Sequence, residues 1–159
     1  MLKTIRADWL FVIAASLIWL AALGVTAWDF VQIQKAVYHF QFINLVGAGL
    51  IVTGLAIRLI ARRTLGRQFS YALRTLDDHR LIQSGIYARV RHPAYTGDLV
   101  FWLGVTLLLS SGYGFLVMLL IIPCFAYRAK IEENMLVARF GDDYRRYMRT
   151  TKRFLPFIY

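Results

Sequence analysis

The sequence contains few of the residues that build disulfides, metal clusters or acidic surfaces. Its 159 residues include one cysteine, three histidines, three prolines and nine acidic residues. A lone cysteine excludes an intramolecular disulfide and a cysteine metal cluster, and Cys124, which lies in an apolar run, is expected to serve in packing. The chain also lacks a strand followed by a glycine-rich turn and a helix, the βαβ unit with which many soluble enzymes bind nucleotide cofactors. We therefore expect no metal site and no domain of that kind.

Apolar residues, by contrast, are abundant. Hydrophobic residues make up 58% of the chain and aromatic residues 15%, and the mean hydropathy is +0.52. A soluble domain of this length is rarely so apolar. The net charge of +10 would suit nucleic acid, but the basic residues stand between long apolar segments, which favours anionic lipid headgroups as their partners. The composition predicts an all-α integral membrane protein that does not bind nucleic acid.

Four segments approach the roughly 20 residues that a helix needs to cross a bilayer. The first begins like a signal peptide, with Lys3 and Arg6, but its apolar run exceeds the ~7–15 residues typical of such peptides, so we assign it as a span. Serine and glycine from Ser110 to Gly114 predict the turn of a hairpin between the last two spans, and Pro123 predicts a kink in the last one. The predicted spans are Trp9–Trp28, Phe40–Ile60, Tyr95–Ser110 and Phe115–Tyr127.

Basic residues are distributed unevenly around these spans. Of the 19, all except Lys35 lie before the first span, from the end of the second span to the third, or after the fourth. Because basic loops stay on the cytoplasmic side, the pattern predicts cytoplasmic termini, a cytoplasmic central segment and an outer loop at Asp29–Tyr38. If the chain is bacterial, the membrane is the inner, cytoplasmic one.

The two cytoplasmic segments are predicted to pack on the membrane face. Leu65–Val90 mixes aromatic and aliphatic residues with arginines, and Arg128–Arg149 has the pattern of a helix that Gly141 breaks and Asp142 caps again. No repeat or linker divides the chain, so residues 1–159 are predicted to form one domain with membrane-face elements at 65–94 and 128–159. The basic residues interpreted as a solvated or lipid-facing charge run are Arg145, Arg146, Arg149, Lys152 and Arg153.

Two motifs flank the predicted hairpin. LIQSGIYARVRHPAYTG begins at Leu81, IEENMLVARFGDDYRRYMRTTKRFLPFI begins at Ile131, and a weaker LGRQFS element covers Leu65–Ser70. Their order and spacing resemble the C-terminal half of the isoprenylcysteine carboxyl methyltransferases and their bacterial relatives, a group similar to the phospholipid N-methyltransferases. The resemblance implies a membrane enzyme of about four transmembrane helices that transfers a methyl group from S-adenosylmethionine to a lipophilic or prenylated acceptor.

The resemblance also implies roles for individual residues. The segment from Arg91 to Gly97 would form one wall of the S-adenosylmethionine pocket, and the paired carboxylates Glu132 and Glu133 would close it. Glu132 and Arg128 are the implied catalytic residues, and Arg128 lies where the carboxyl methyltransferases carry an arginine, which suits an anchor for the substrate. The implied cofactor-binding residues are Leu81, Tyr87, His92, Pro93, Tyr95, Gly97, Glu132 and Glu133.

The residue types in the first motif suit these roles. Pro93 keeps His92 out of helical geometry and exposes backbone groups just before the third span. Gly97 removes a side chain where a ligand approaches. Tyr87 and Tyr95 offer aromatic faces to a sulfonium cation, a contact of about 0.5–2 kcal/mol.

The charged residues leave alternatives open. Glu132 and Glu133 are neighbours on a helix and point about 100° apart, so they are expected to differ in role. Asp98, near the start of the third span, either pairs with an arginine such as Arg58 or Arg128 or acts in catalysis. Arg128 itself either anchors a substrate carboxylate or forms an i, i+4 pair with Glu132.

The methyl acceptor is also open. A carboxylate is already nucleophilic at neutral pH and needs a cation to hold it, whereas a phospholipid ammonium must first lose a proton to a base such as His92, Asp98 or a glutamate. Two other classes of protein remain as hypotheses. Membrane sterol reductases carry a similar Arg-His-Pro-x-Tyr segment, which would make the chain an NADPH-dependent oxidoreductase, and a non-enzymatic membrane module would retain only the fold.

Overall fold

The chain is helical, as its composition predicts. The computed structural model describes residues 2–33, 40–68 and 80–155. Residues 69–79 of the predicted membrane-face segment, with the end of the LGRQFS element, and residues 34–39 of the predicted outer loop lie outside the described residues. Short 3-10 turns occur at Gly66–Gln68 and Gly85–Ala88. The α-helices of the described residues are α1 (Leu2–Ile33), α2 (Phe42–Leu65), α3 (Pro93–Leu108), α4 (Gly112–Leu119), α5 (Ile121–Phe140) and α6 (Asp142–Thr150).

Three helical segments of the described residues are long and apolar enough to cross a membrane. They are Trp9–Gln32, Phe42–Gln68 and Gly112–Phe140, and they contain the whole of the first and fourth predicted spans and all but the first two residues of the second. The third predicted span, Tyr95–Ser110, lies largely on α3, whose 16 residues are fewer than the about 20 that a span needs. That the third predicted span crosses the membrane, and with it the total of four spans, therefore stays a prediction.

Glycines bring α2 and α3 into backbone contact. A Cβ added to Gly54 would lie 2.6 Å from the carbonyl oxygen of Gly97 and would overlap the backbone of Phe101, and one added to Gly47 would lie 2.8 Å from the carbonyl oxygen of Gly104. The seven-residue spacing of Gly47 and Gly54 predicts either close helix packing or a groove, and the structure has close packing. The contacts also show that α2 and α3 run antiparallel, because later residues of α2 meet earlier residues of α3.

Asn44 fixes the far end of this helix pair. Its Nδ2 donates to the carbonyl oxygens of Leu107 and Leu108, at 3.3 and 2.9 Å, and to the hydroxyl of Ser110 at 2.7 Å. These bonds add donors to carbonyl groups in the last turn of α3, where regular helical bonds end. Ser110 has a φ of 55° and Gly112 already begins α4, so the predicted hairpin turn is present but shorter than the serine and glycine cluster suggests.

The last predicted span is interrupted near its middle. The interruption between α4 and α5 is the single residue Leu120, three residues before Pro123, whose ring and missing N–H disturb the preceding turn. Leu120 keeps helical dihedral angles, with φ −63° and ψ −13°, so the predicted kink lies within one helical segment. α5 continues well past Tyr127 to Gly141, where a φ of 56° ends it, and Asp142 begins α6. The helix break predicted at Gly141 is confirmed.

α1 packs against α4 and α5 at a small apolar core. Ala22 of α1, Met118 of α4 and Ile121 of α5 are its buried members. Cys124 packs against this core and is a free thiol, in line with its predicted role in packing. Large apolar side chains on the outer faces of the helices, such as Leu17, are exposed, which suits contact with lipid.

Candidate active site

The entry to α3 has the geometry that a histidine followed by proline predicts. Pro93 is the first residue of α3, and His92 before it has φ −124° and ψ 55°, outside the helical region. A proline at this position has no N–H that would need a partner. Both side chains are buried, and the imidazole of His92 contacts two carboxylates on α5.

Residues 151–155, which follow α6, cross this entry, and we call them the C-terminal strap. Three backbone hydrogen bonds of 2.8 to 3.1 Å join the strap to residues 89–92. The hydroxyl of Thr96 adds a bond of 2.8 Å to the carbonyl oxygen of Phe154. The strap therefore holds the Arg-His-Pro segment in place. The backbone bonds run from the N–H of Arg91 to Lys152, from the N–H of His92 to Arg153 and from the N–H of Lys152 to Arg89.

Glu133 lies at the centre of a cluster of basic side chains. Its side chain is 3% exposed. Its carboxylate accepts from Nε of Arg91 at 2.8 Å and from Nη2 and Nε of Arg153 at 2.6 and 3.2 Å. A buried carboxylate is stable only where cations and hydrogen bonds offset its loss of hydration. Because Arg91 precedes α3 and Arg153 belongs to the strap, this compensation joins both segments to α5.

Glu132, the neighbouring carboxylate, has a different environment. Its side chain is 35% exposed, and its Oε2 accepts from the hydroxyl of Tyr95 at 2.8 Å. That hydroxyl also accepts from Nε of Arg128 at 3.0 Å. The guanidinium of Arg128 is buried and lies 4.4 Å from the ring centroid of Phe11. The glutamates differ as their helical spacing predicts, since Glu133 is enclosed by cations and Glu132 is more open.

The imidazole of His92 lies between the two glutamates. Its Nε2 is 3.3 Å from Oε1 of Glu133, and its Nδ1 is 3.6 Å from Oε2 of Glu132. Burial acts to lower the pKa of His92, but the hydrogen bonds and charges of both glutamates outweigh it and raise the pKa above 6.5. The ring also stacks on Tyr95, with centroids 5.5 Å apart. The arrangement favours the imidazolium form, which is a poor proton acceptor.

An apolar cavity of about 430 Å³ lies between α1, α2, α3 and α5. Aromatic rings form much of its wall, including Trp19 and Trp102, which contact each other edge to face at 4.8 Å. Phe125 forms another part of the wall and stacks on Tyr95 with centroids 5.3 Å apart. The cavity therefore adjoins the hydrogen-bonded pair of Tyr95 and Glu132.

An ion pair lies in the wall of the same cavity. The guanidinium of Arg58 on α2 donates to the carboxylate of Asp98 on α3. The two side chains are 29% and 24% exposed. Of the roles that the sequence leaves open for Asp98, the structure bears out an ion pair with Arg58.

The family of the chain follows from a comparison with known proteins. Residues 47–138 match the family model of the isoprenylcysteine carboxyl methyltransferase (ICMT) family. The chain belongs to this family. Its membership and its apolar helices identify an integral membrane protein. The same comparisons do not favour the phospholipid N-methyltransferase and sterol reductase alternatives.

Similar proteins come from plants and fungi. The chain is 33% identical over 123 residues to a probable protein-S-isoprenylcysteine O-methyltransferase of Oryza sativa subsp. indica, which covers 76% of this chain and 64% of that protein. It is 35% identical over 124 residues to the protein-S-isoprenylcysteine O-methyltransferase of Schizosaccharomyces pombe, with 76% and 52% covered. The solved structure of the eukaryotic intramembrane Ras methyltransferase ICMT superposes with a TM-score of 0.76 and 26% identity, over 90% of this chain and 52% of that one. The chain thus spans between about half and two thirds of these relatives.

Most of the predicted site residues of this family member lie together, but Gly97 has a different neighbour. A Cβ on Gly97 would lie 2.8 Å from the carbonyl oxygen of Gly54 and 2.9 Å from the backbone nitrogen of Arg58. Helix packing therefore explains the glycine, and a contact between Gly97 and the cofactor stays a prediction. The predicted residues that form one cluster are His92, Pro93, Tyr95, Arg128, Glu132 and Glu133.

Tyr87 and Leu81 lie beside Tyr147 of α6. Tyr87 is buried, and its carbonyl oxygen accepts from the hydroxyl of Tyr147 at 2.7 Å. Burial raises the pKa of Tyr147 to about 12, so its hydroxyl stays protonated and can donate. Leu81 lines a second cavity, of about 610 Å³, together with Arg80 and Tyr147. The cofactor contacts of Tyr87 and Leu81 stay predictions.

Sequence reasoning missed two arginines of the cluster. Arg91 begins the predicted site segment but has no role of its own in that prediction, and Arg153 is interpreted there as part of a solvated or lipid-facing charge run. That interpretation is wrong for Arg153, whose side chain is 17% exposed and binds Glu133, whereas Arg145 and Arg146 are exposed. The available signal was the pair of adjacent glutamates, which point about 100° apart on a packed helix, because a carboxylate that is buried there needs cations beside it.

Proposed function

We propose that the chain catalyses the S-adenosylmethionine-dependent methylation of a carboxylate on a lipophilic, isoprenylcysteine-like acceptor. The position of Arg128 carries this proposal, because its buried guanidinium lies between the polar cluster and the aromatic rings beside the apolar cavity. Membership of the family supports methyl transfer, since the similar proteins of rice and fission yeast are named O-methyltransferases.

The cluster suits S-adenosylmethionine as the cofactor. The hydroxyl and ammonium groups of S-adenosylmethionine need hydrogen-bond acceptors, and its sulfonium is attracted to aromatic faces. Glu132 offers a partly exposed carboxylate beside the stacked rings of His92 and Tyr95. When bound, S-adenosylmethionine supplies an electrophilic methyl group. In this proposal Glu132 accepts hydrogen bonds from the cofactor and Tyr95 presents its ring, while Glu133, already bound to two arginines, acts on the pocket through His92.

The charges of the described residues favour a carboxylate as the methyl acceptor over an amine. An ammonium must lose a proton to a base before it attacks. The predicted bases are engaged, since Asp98 pairs with Arg58, Glu133 binds two arginines and His92 favours the imidazolium form. Glu132, the more open carboxylate, accepts from the hydroxyl of Tyr95 and is assigned here to the cofactor. A carboxylate needs no base. It needs a cation, and a guanidinium such as that of Arg128 binds a carboxylate with up to two parallel hydrogen bonds.

The apolar cavity is the proposed binding site for the tail of the acceptor. A tail that moves there from the bilayer gains little from the hydrophobic effect, because lipid chains are as apolar as the cavity wall. The benefit is positional, because a tail held against Phe125 and Trp102 leaves its polar end close to Tyr95 and Arg128. Such positioning is a main source of rate in a displacement reaction.

The proposed orientation follows the positive-inside rule. The strap and α6 carry Arg145, Arg146, Arg149 and Lys152, all of them exposed, and basic segments of this kind stay in the cytoplasm. We place both termini and the polar cluster on that side, with the soluble cofactor entering from the cytoplasm and the acceptor from the bilayer. We also treat the chain as a single domain.

The proposed reaction is tested with the purified full chain in lipid nanodiscs. Methyl-labelled S-adenosylmethionine is incubated with N-acetyl-S-farnesylcysteine, with its carboxamide, or with phosphatidylethanolamine. We expect label on the free acid alone, as a methyl ester that mild base releases. A base-stable label on the phospholipid amine would overturn the assignment of the acceptor, and binding of NADPH without binding of S-adenosylmethionine would overturn the whole proposal.

The role of Arg128 is tested with a pair of variants on one helix. Arg128→Gln is expected to lower kcat/KM for the acceptor by about 100-fold, the usual effect of removing one partner of a buried charge pair. The KM for S-adenosylmethionine should change little. Lys130→Gln, which removes an exposed charge two residues away, is the control. Equal kcat/KM in the two variants would contradict the anchor role.

A further inference from the structure

We infer that Arg153 of the C-terminal strap is a positioning residue of the active site, which holds His92 in place from two directions. This inference rests on the proposed function, since it concerns the same cofactor pocket. It goes beyond that function in giving a role to a segment outside both the Arg-His-Pro motif and the glutamate pair.

The first direction is through the main chain. The carbonyl oxygen of Arg153 accepts from the N–H of His92 at 3.0 Å. Because Pro93 follows, the backbone of His92 is not helical. Its N–H precedes the first turn of α3, so the helix offers that N–H no carbonyl oxygen. The strap supplies the missing constraint at this residue.

The second direction is through the side chain. The guanidinium of Arg153 donates from Nη2 and Nε to Glu133, at 2.6 and 3.2 Å. The Oε1 of Glu133 lies 3.3 Å from Nε2 of His92. The fork of arginine fixes the orientation of a carboxylate better than a single ammonium does. Arg153 therefore orients the carboxylate and, together with Nε of Arg91, which donates to the same Oε1 at 2.8 Å, sets the position of the oxygen that faces the imidazole.

The position of His92 determines the rest of the wall. Its ring stacks on Tyr95, with an angle of 9° between the planes, and the hydroxyl of Tyr95 holds the carboxylate of Glu132. A shift of His92 would therefore displace the aromatic face and the carboxylate proposed to bind the cofactor. The acceptor anchor, Arg128, lies on α5 and contacts the hydroxyl of Tyr95 and the ring of Phe11. Loss of Arg153 should weaken cofactor binding more than the turnover of the bound complex.

The test compares two neighbouring basic residues in the full chain. Arg153→Gln is expected to raise the KM and the Kd for S-adenosylmethionine about tenfold and to leave kcat within about twofold. The tenfold figure is the lower end of the effect seen when a residue that supports a metal ligand is removed. Arg153→Lys, which keeps the charge but not the fork, should lie between Arg153→Gln and wild type. Lys152→Gln removes the same charge from an exposed side chain and should behave as wild type.

A second variant covers the case in which Arg153→Gln does not fold. Thr96→Val deletes the hydroxyl bond from α3 to the carbonyl oxygen of Phe154, and a longer one of 3.4 Å to the carbonyl oxygen of His92. About a threefold rise in KM is expected, because one strap contact of several is lost. Equal Kd values in Arg153→Gln and Lys152→Gln, or a fall in kcat with KM unchanged, would overturn the inference alone. A wild-type protein that binds no S-adenosylmethionine would overturn the proposed function as well.

Discussion

Two interfaces of α3 are held together in opposite ways. Along α2, glycines remove side chains so that backbones touch, with Gly54 and Gly97 at the centre. At its N-terminal end, α3 meets α5 and the strap through charged side chains, with Glu133 at the centre. The first interface tolerates no added atom, and the second tolerates no lost charge. A rigid helix pair thus carries a polar cluster whose geometry depends on individual side chains.

The difference also separates the scaffold from the proposed chemistry. Glycine contacts are independent of pH and offer nothing to a substrate. The cluster contains groups that can bind a cofactor, but each buried charge requires its partner. Substitutions at the two interfaces should therefore differ in how much stability they remove and in how that loss depends on pH.

The largest effect is expected from the removal of charge at Glu133. Glu133→Gln leaves Arg91, Arg153 and His92 facing a neutral amide, which should lower the free energy of unfolding by about 3 kcal/mol, the lower end for a broken buried ion pair. Glu132→Gln, the same change at a more exposed neighbour, should cost less than about 1 kcal/mol. Denaturation in detergent, followed by circular dichroism, measures both. Equal losses of stability would contradict the division of roles between the two glutamates.

Addition of one methyl group to the glycine interface should have the next largest effect. Gly54→Ala places a Cβ against the backbones of Gly97 and Phe101, so the helices must separate, at a cost of about 2–3 kcal/mol. Gly49→Ala on the same helix has no atom within 4 Å of the new Cβ and should be neutral or stabilising by up to about 1 kcal/mol. The unfolding assay used for the glutamates applies. A tolerated Gly54→Ala would mean that the helices are less tightly packed than described.

The helical elements were predictable because each has a local cause. Pro93 at the start of α3, Pro123 near the kink between α4 and α5 and Gly141 at the end of α5 act on the backbone through their own covalent structure. The helical pattern from Arg128 to Gly141 was also predicted, but as a membrane-face element separate from the last span. The structure joins the two in one helix, α5, which carries Arg128 and both glutamates.

The members of the site were predictable from the motifs, but the different environments of the two glutamates were not. Sequence order brought His92, Tyr95 and both glutamates together as candidates. Which glutamate is enclosed depends on the strap, where Arg153 looks like any other residue in a basic run. The backbone bonds between the strap and residues 89–92, with the bond from Thr96 to Phe154, bring that arginine to Glu133. Such tertiary pairing leaves no periodic pattern in a single sequence.

A smaller effect is expected where the two interfaces adjoin. Asp98→Asn removes the charge that pairs with Arg58 near the glycine contacts. Because both side chains are partly exposed, the loss should be about 1–2 kcal/mol, between the values for surface and buried pairs. Asp142→Asn, at a side chain that is 86% exposed, is the control and should change stability by less than about 0.5 kcal/mol. Unchanged stability in Asp98→Asn would show that the pair does not contribute to helix packing.

The smallest effect, and the one that best separates the interfaces, is the pH dependence of the cluster. Because the two glutamates raise the pKa of His92 above 6.5, the folded state binds a proton more tightly than the unfolded state does. The resulting stability is fully present below pH 6.5 and is lost as the pH rises through the folded pKa. Wild type should therefore exceed His92→Gln most at pH 6 and least at pH 9, measured by thermal unfolding at each pH. Gly54→Ala should instead differ from wild type by the same amount at every pH, and a constant difference for His92→Gln would contradict an imidazolium held between the two carboxylates.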